Sequence, residues 1–151
     1  LSVAAPQLPP RRTPVPPALT TYRHLLRVTK GPQADTLPAA DFYAAEYEVS
    51  PDSNRMGIRL AGTPLAAAHD SRMVTEGAPL GAIQVPANGQ PIILFVDQQT
   101  TGGYPKIANV ITADIPSVAQ LRPRDRVRFE LVTNAAAQYW LREQEELLQQ
   151  L

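Results

Sequence analysis

Residues 81–96, "GAIQVPANGQPIILFV", decide the fold. Two apolar runs, Ala82 to Val85 and Ile92 to Val96, flank Pro86-Ala87-Asn88-Gly89-Gln90. A run of four or five apolar residues is too short for a stable helix and long enough for a strand. Asn88-Gly89 is expected to supply the positive φ angles of a hairpin turn. The prediction is an antiparallel pair.

Outward from this hairpin the same pattern repeats. "HLLRVTKG" (24–31) reads as a short strand closed by glycine, and "DTLPAADFYAAEYEV" (35–49) as one short helix with Pro38 at its first turn. "EYEVS" (46–50) and "RMGIRLAG" (55–62) alternate, placing Tyr47 and Val49, then Met56, Ile58 and Leu60, on a buried face, with "SPDSN" as the turn. "KIANVITADI" (106–115) reads as a strand. "RVRFELV" (126–132) sets Val127, Phe129 and Leu131 against Arg126, Arg128 and Glu130. Many short, closely spaced strands favour a closed barrel or sandwich over a parallel sheet. From Asn134, expected as N-cap, "AAAQYWLREQEELLQQL" gathers Trp140, Leu141, Leu147, Leu148 and Leu151 near one stripe of an amphipathic helix. That stripe can cover the protein's own barrel or dock on another subunit.

Bulk composition narrows the chemistry. With 151 residues, one domain is expected. Fourteen Lys and Arg balance fourteen Asp and Glu, so no net field attracts a nucleic acid. No cysteine is present, which removes disulfides, thiolate nucleophiles and thiolate metal sites. No apolar run approaches a membrane span, and no basic then apolar leader opens the chain, so a cytoplasmic protein with no membrane partner is expected. Six of the first seventeen residues are proline, and residues 1–23 read as a linker from a preceding N-terminal subdomain, with the barrel domain at 24–151.

Three stretches carry more polar chemistry than turns need. In "SPDSNRMGIRL" (50–60), Arg55 and Arg59 oppose the apolar face; they read either as a solvated strand face or, were the barrel interior partly polar, as a fork for a carboxylate. Gln84 faces away from Ile83 and Val85, as a surface residue or as a reader of a lactam or ureido group. "DQQTTGGYPK" (97–106) combines Asp97, Gln99, the hydroxyls of Thr100 and Thr101, Gly102 and Gly103 for close backbone approach, the Tyr104 ring and the Lys106 amine. It reads equally as an elaborate turn or as a ligand wall. His24 and His69 have no second histidine at ligand spacing and read as structural or solvent residues; no nucleophile elbow or nucleotide loop is present.

Together "SPDSNRMGIRLAG" (50–62), the block from Glu76 to Glu130 and the terminal helix resemble the C subunit of ATP-dependent 5-oxoprolinase. This family is also called KipA or allophanate hydrolase subunit 2-like, within the biotin-dependent carboxyltransferases. The resemblance runs from about Leu26 to Leu151 and implies a cyclophilin-like β-barrel forming the C-terminal half of a subunit about twice as long. It implies a KipI-like B subunit and an A subunit as partners, and opening of 5-oxoproline to glutamate with ATP hydrolysed by the complex, no cofactor being held by this chain alone. Alternatives within the resemblance are carboxyl transfer from carboxybiotin to a urea-like or amide acceptor, and a non-catalytic KipI-binding module. Many relatives carry arginine where this chain has Gln98. On this resemblance Asp97, Arg55 and Lys106 are the catalytic candidates, to take a proton or neutralise an anion. Gln84, Gln99, Thr100, Thr101, Gly102, Gly103, Tyr104 and Arg59 are expected to hold the substrate.

Overall fold

The computed structural model describes residues 24–66 and 74–149. The expected linker at 1–23, His69 and Leu151 lie outside them. The hairpin prediction holds: β5 (Ala82–Gln84) pairs antiparallel with β6 (Ile92–Leu94). Its turn differs in detail, because Gly89 alone takes positive φ, at 72°. Asn88 instead accepts the Gln90 amide on its side-chain oxygen at 3.1 Å, a local bond that closes the turn without left-handed geometry.

Around this pair stand β1 (Leu25–Lys30), β2 (Tyr47–Val49), β3 (Gly57–Ala61), β8 (Lys106–Val110) and β9 (Arg126–Leu131). They close a barrel in the order β1-β8-β5-β6-β3-β2-β9. All its pairings are antiparallel except β1 with β9, so a parallel seam completes the mainly antiparallel barrel that the alternation predicts. A second, two-stranded sheet joins β4 (Glu76–Gly77) to β7 (Thr101–Gly102) and forms a flap outside the barrel.

The interior is apolar. Ile58 stands opposite Ile93, Ile93 opposite Ile83 and Ile83 opposite Ala108, a row of inward side chains across four strands. The helix α1 (Ala39–Ala44), entered directly from Pro38, lays Phe42 on this core, stacked on Phe129 with ring centroids 4.6 Å apart. Tyr47 and Val127 complete that cluster, and Val118 of α2 (Ile115–Val118) joins the same core.

Three local expectations about the strands are corrected. Met56 is not in the core but 49% exposed. Asn54 Oδ1 accepts the Met56 and Gly57 amides at 2.9 and 3.3 Å, and this side-chain turn delays the strand to Gly57, so alternation does not extend back to Met56. The strand in "KIANVITADI" stops at Val110 and gives way to a 3₁₀ turn at Thr112–Asp114. Leu131, at the very end of β9, is half exposed.

The terminal helix α3 (Asn134–Gln149) is present, but Asn134 is its first residue and the capping oxygen belongs to Thr133, whose hydroxyl accepts the Ala136 amide at 3.2 Å. The helix packs on its own barrel, against β1 and the Thr112–Asp114 turn, with no residue fully buried. Trp140 lies 4.4 Å from the Arg27 guanidinium, and Arg27 in turn forks onto the buried Asp114. A cation sandwiched between ring and carboxylate therefore joins helix, β1 and the 3₁₀ turn.

Candidate functional site

The strand register places a polar row on the outer wall. Arg59 is opposite Ile92, Ile92 opposite Gln84, and Gln84 opposite Lys106. This row is one residue out of phase with the apolar interior row, so the residues that adjoin Ile58, Ile93 and Ile83 along their strands point away from the core. Of the two readings of Arg59, the outward strand face is the one found: its side chain is exposed outside the barrel and not in a partly polar interior. Between Ile83 and Gln84 the pairing with β8 shifts by one residue, a bulge beside the site that re-aims the chain where Lys106 begins the strand.

Over this row sits a cavity of about 190 Å³. Gly57, Arg59, Gln84, Ile92 and Leu94 form its floor. Its walls are Asn54, Met56, Ala78 and the loop residues Gln98, Gln99, Thr101, Gly102, Gly103 and Tyr104. "DQQTTGGYPK" is therefore a cavity wall. It is held by backbone and amide stitches to the flap: the Ala78 amide donates to Thr100 O at 2.9 Å and Gln98 Nε2 donates to Ala78 O at 3.3 Å. Gln98, where the resemblance expects arginine, thus closes the loop as a neutral donor.

Arg59 is the charged side chain in the lining. It has no carboxylate partner among the described residues. Gln84 is 7% exposed, and its Nε2 is buried with no acceptor among the described residues. A buried amide N–H left unpaired costs about 1–3 kcal/mol. Gly102 lies close over this amide: a Cβ there would stand 2.5 Å from Gln84 Nε2 and one of the two would have to shift. The floor and walls present one cation, several neutral amides, a hydroxyl and a phenol, and no carboxylate among the described residues. Such a surface suits a small ligand that pairs an anionic group with an amide plane.

Not every candidate from the sequence meets at this cavity. Gln84, Gln99, Thr101, Gly102, Gly103, Tyr104 and Arg59 do, while Thr100 contributes its carbonyl to the flap instead. Asp97 and Arg55 face one another in a fork, Arg55 Nε to Asp97 Oδ2 at 2.6 Å and the second nitrogen to Oδ1 at 3.2 Å, away from the lining. The hydrogen bonds from Arg55 hold the Asp97 carboxyl below its usual range, which weakens it as a proton acceptor. The Lys106 amine also lies off the lining, buried against Glu76 at 3.0 Å. Asn54, Met56, Ala78 and Ile92 belong to the site without having stood out in the sequence, because only strand pairing and the flap bring them to it.

Comparison with known proteins agrees with the fold. Residues 1–131 match the family described as carboxyltransferase domain, subdomain A and B. The chain belongs to this family. Within it, the chain is 43% identical over 106 residues to the C subunit of Haemophilus influenzae 5-oxoprolinase, covering 70% of this chain and 34% of that protein. To the C subunit of Escherichia coli 5-oxoprolinase it is 42% identical over 99 residues, covering 64% and 32%. The aligned region therefore spans about a third of these relatives. Among solved structures, Kluyveromyces lactis urea carboxylase superposes with a TM-score of 0.78 at 27% identity over 87% of this chain and 13% of that one. The K. lactis urea amidolyase gives 0.79 at 27% identity, over 97% and 10%. These neighbours share the carboxyltransferase-domain barrel, and the matched family stops at Leu131, before α3 begins.

Proposed function

We propose that the outer-wall cavity of this carboxyltransferase-family domain holds 5-oxoproline while an ATP-dependent 5-oxoprolinase opens it to glutamate. The observation that carries this reading is the placement, on one cross-strand row of the cavity floor, of Arg59, with no carboxylate partner among the described residues, and of the buried Gln84 amide nitrogen, with no acceptor among them. 5-Oxoproline carries a carboxylate and a lactam on one small ring. Its carboxylate pairs with Arg59 in a fork, and its lactam meets the neutral donors and acceptors of Gln84, Gln98 and Thr101. Ring opening breaks the lactam C–N bond; water delivers hydroxyl to the carbonyl carbon and a proton to nitrogen, giving the amine and carboxylate of glutamate. The amide is unreactive, so ATP hydrolysis is coupled to activate the carbonyl before water attacks.

The ATP machinery belongs to partners in this reading, namely an A subunit and a KipI-like B subunit, in a cytoplasmic assembly that includes the rest of the full-length protein. Support comes from the name shared by the two relatives above 40% identity. The second reading, carboxyl transfer from carboxybiotin to a urea-like acceptor, is favoured by the likeness to urea carboxylase. Urea has no carboxylate to meet Arg59, which weighs toward the lactam acid. The test is to assemble the full-length protein with both partners and measure glutamate release from 5-oxoproline with ATP. Release that requires all components supports the reading. ATP-dependent carboxylation of urea, with 5-oxoproline untouched, would replace it.

A further inference from the structure

We propose that Lys106, Glu76 and Gln33 form a latch outside the cavity that positions its β7 wall over Gln84, so that Lys106 serves the site as a positioning residue rather than by touching substrate. The inference rests on the cavity being the substrate site.

The polar row of the barrel wall has two halves. Arg59 and Ile92 lie open under the cavity, whereas Lys106 and Gln84 lie under the β4–β7 flap. Lys106 has a side chain 5% exposed, and its amine donates to Glu76 Oε2 at 3.0 Å. Gln33 Nε2 donates to the same oxygen at 3.1 Å, and Gln33 Oε1 accepts the Lys106 backbone amide at 2.9 Å. One glutamine side chain thus ties together the start of β8, the segment following β1 and the flap strand β4. Glu76 is directly opposite Gly102 in the β4–β7 pairing. Whatever fixes Glu76 therefore fixes Gly102, and Gly102 is what covers the Gln84 amide.

A two-stranded ribbon two residues deep has little stability of its own. The Ala78 amide on Thr100 O and the Gln98 amide on Ala78 O hold the ribbon together, and the latch ties it to the barrel. An ammonium group is not buried beside a barrel without a carboxylate, and here its carboxylate is supplied by the flap, so lifting the flap strands the charge. The flap is thus held down by residues outside the cavity lining. The hydrogen bonds from Lys106 and Gln33 keep the Glu76 carboxyl below its usual range.

Lys106→Met separates positioning from folding. It replaces a buried charge by an apolar chain of similar length, and the abandoned Glu76 is 46% exposed and free to hydrate, so the barrel keeps its melting temperature. The readouts are hydrogen exchange of the full-length protein and, in the assembled enzyme, KM and kcat for 5-oxoproline. Exchange is expected to rise at least several-fold in residues 74–80 and 98–104 with β1 and β8 still protected. KM is expected to rise by roughly tenfold with a smaller change in kcat. Lys106→Arg, which retains the charge, is expected to restore flap protection in part. Wild-type exchange in the flap of Lys106→Met overturns the proposal whatever the kinetics show. Faster flap exchange with unchanged KM also overturns it, by separating the flap from substrate binding while leaving the assignment of the cavity to 5-oxoproline intact.

Discussion

Gly102 and Gln84 approach so closely that a single added carbon on the glycine would stand 2.5 Å from the Gln84 side-chain nitrogen. Gly102 does not need glycine for its backbone angles, since the positive-φ glycines are Gly81 and Gly89. Its lack of a side chain serves contact alone. Gly102→Ala is therefore expected to fold normally and to displace either the Gln84 amide or the β7 wall. In the assembled enzyme kcat/KM for 5-oxoproline should fall by roughly ten- to hundredfold, with the melting temperature little changed. Unaltered kinetics in a folded variant would remove Gln84 from the site.

Thr101 and Tyr104 line the same wall with a hydroxyl and a phenol. Thr101→Val and Tyr104→Phe keep shape while deleting one polar atom each. Each is expected to lower kcat/KM, by on the order of 10² where the lost group contacts the reacting amide, with assembly intact. Steady-state kinetics on the purified assembly check this. Wild-type values in both variants would leave the loop as a turn.

Asp114 is 1% exposed, and accepts the Arg27 backbone amide at 2.7 Å and its Nε at 3.1 Å. Removing Asp114 withdraws from Arg27 the buried carboxylate onto which it forks. Asp114→Ala should cost about 3–5 kcal/mol in urea unfolding. The loss should concentrate where Arg27 meets Trp140, seen as earlier unprotection of α3 in hydrogen exchange. A loss below about 1 kcal/mol would contradict the account of that junction.

The Tyr47 hydroxyl is buried with no hydrogen-bond partner among the described residues, and burial, with a smaller contribution from the Asp41 charge, pushes its pKa up to about 12. The ordinary value is 10, so the folded state resists ionisation that the unfolded chain accepts. The stability associated with this group is complete below pH 10 and is lost as pH rises toward 12. Tyr47→Phe should stabilise the protein by about 1 kcal/mol at neutral pH and flatten the alkaline part of its stability profile. A destabilised variant would mean that the hydroxyl is satisfied in solution.

The barrel was legible because its strands alternate and its hairpin carries a glycine turn, both local signals. Met56 defeated the same reasoning: its parity matches Ile58, but the Asn54 side chain caps the amides ahead of the strand and breaks the alternation before it starts. The site was legible in composition and not in arrangement. The polar loop and Gln84 stood out, yet the pairing of Gln84 with Ile92 and of Ile92 with Arg59 is a matter of register across three strands. Lys106 looked available for an anion because it follows the loop directly. Its carboxylate, Glu76, lies thirty positions earlier on a two-residue strand that no periodicity announces.

In the proposed function Arg59 reads the carboxylate of a lactam acid. The most direct measurement compares 5-oxoproline with 2-pyrrolidone, the same ring without its carboxylate, in the assembled enzyme bearing wild-type Arg59 or Arg59→Met. The wild-type enzyme should prefer 5-oxoproline by two or more orders of magnitude, in keeping with a site whose charged group has no carboxylate partner among the described residues. Arg59→Met should raise KM for 5-oxoproline and erase most of that preference, with little effect on whatever turnover of 2-pyrrolidone is measurable. An unchanged preference in a folded, assembled Arg59→Met enzyme would contradict the account.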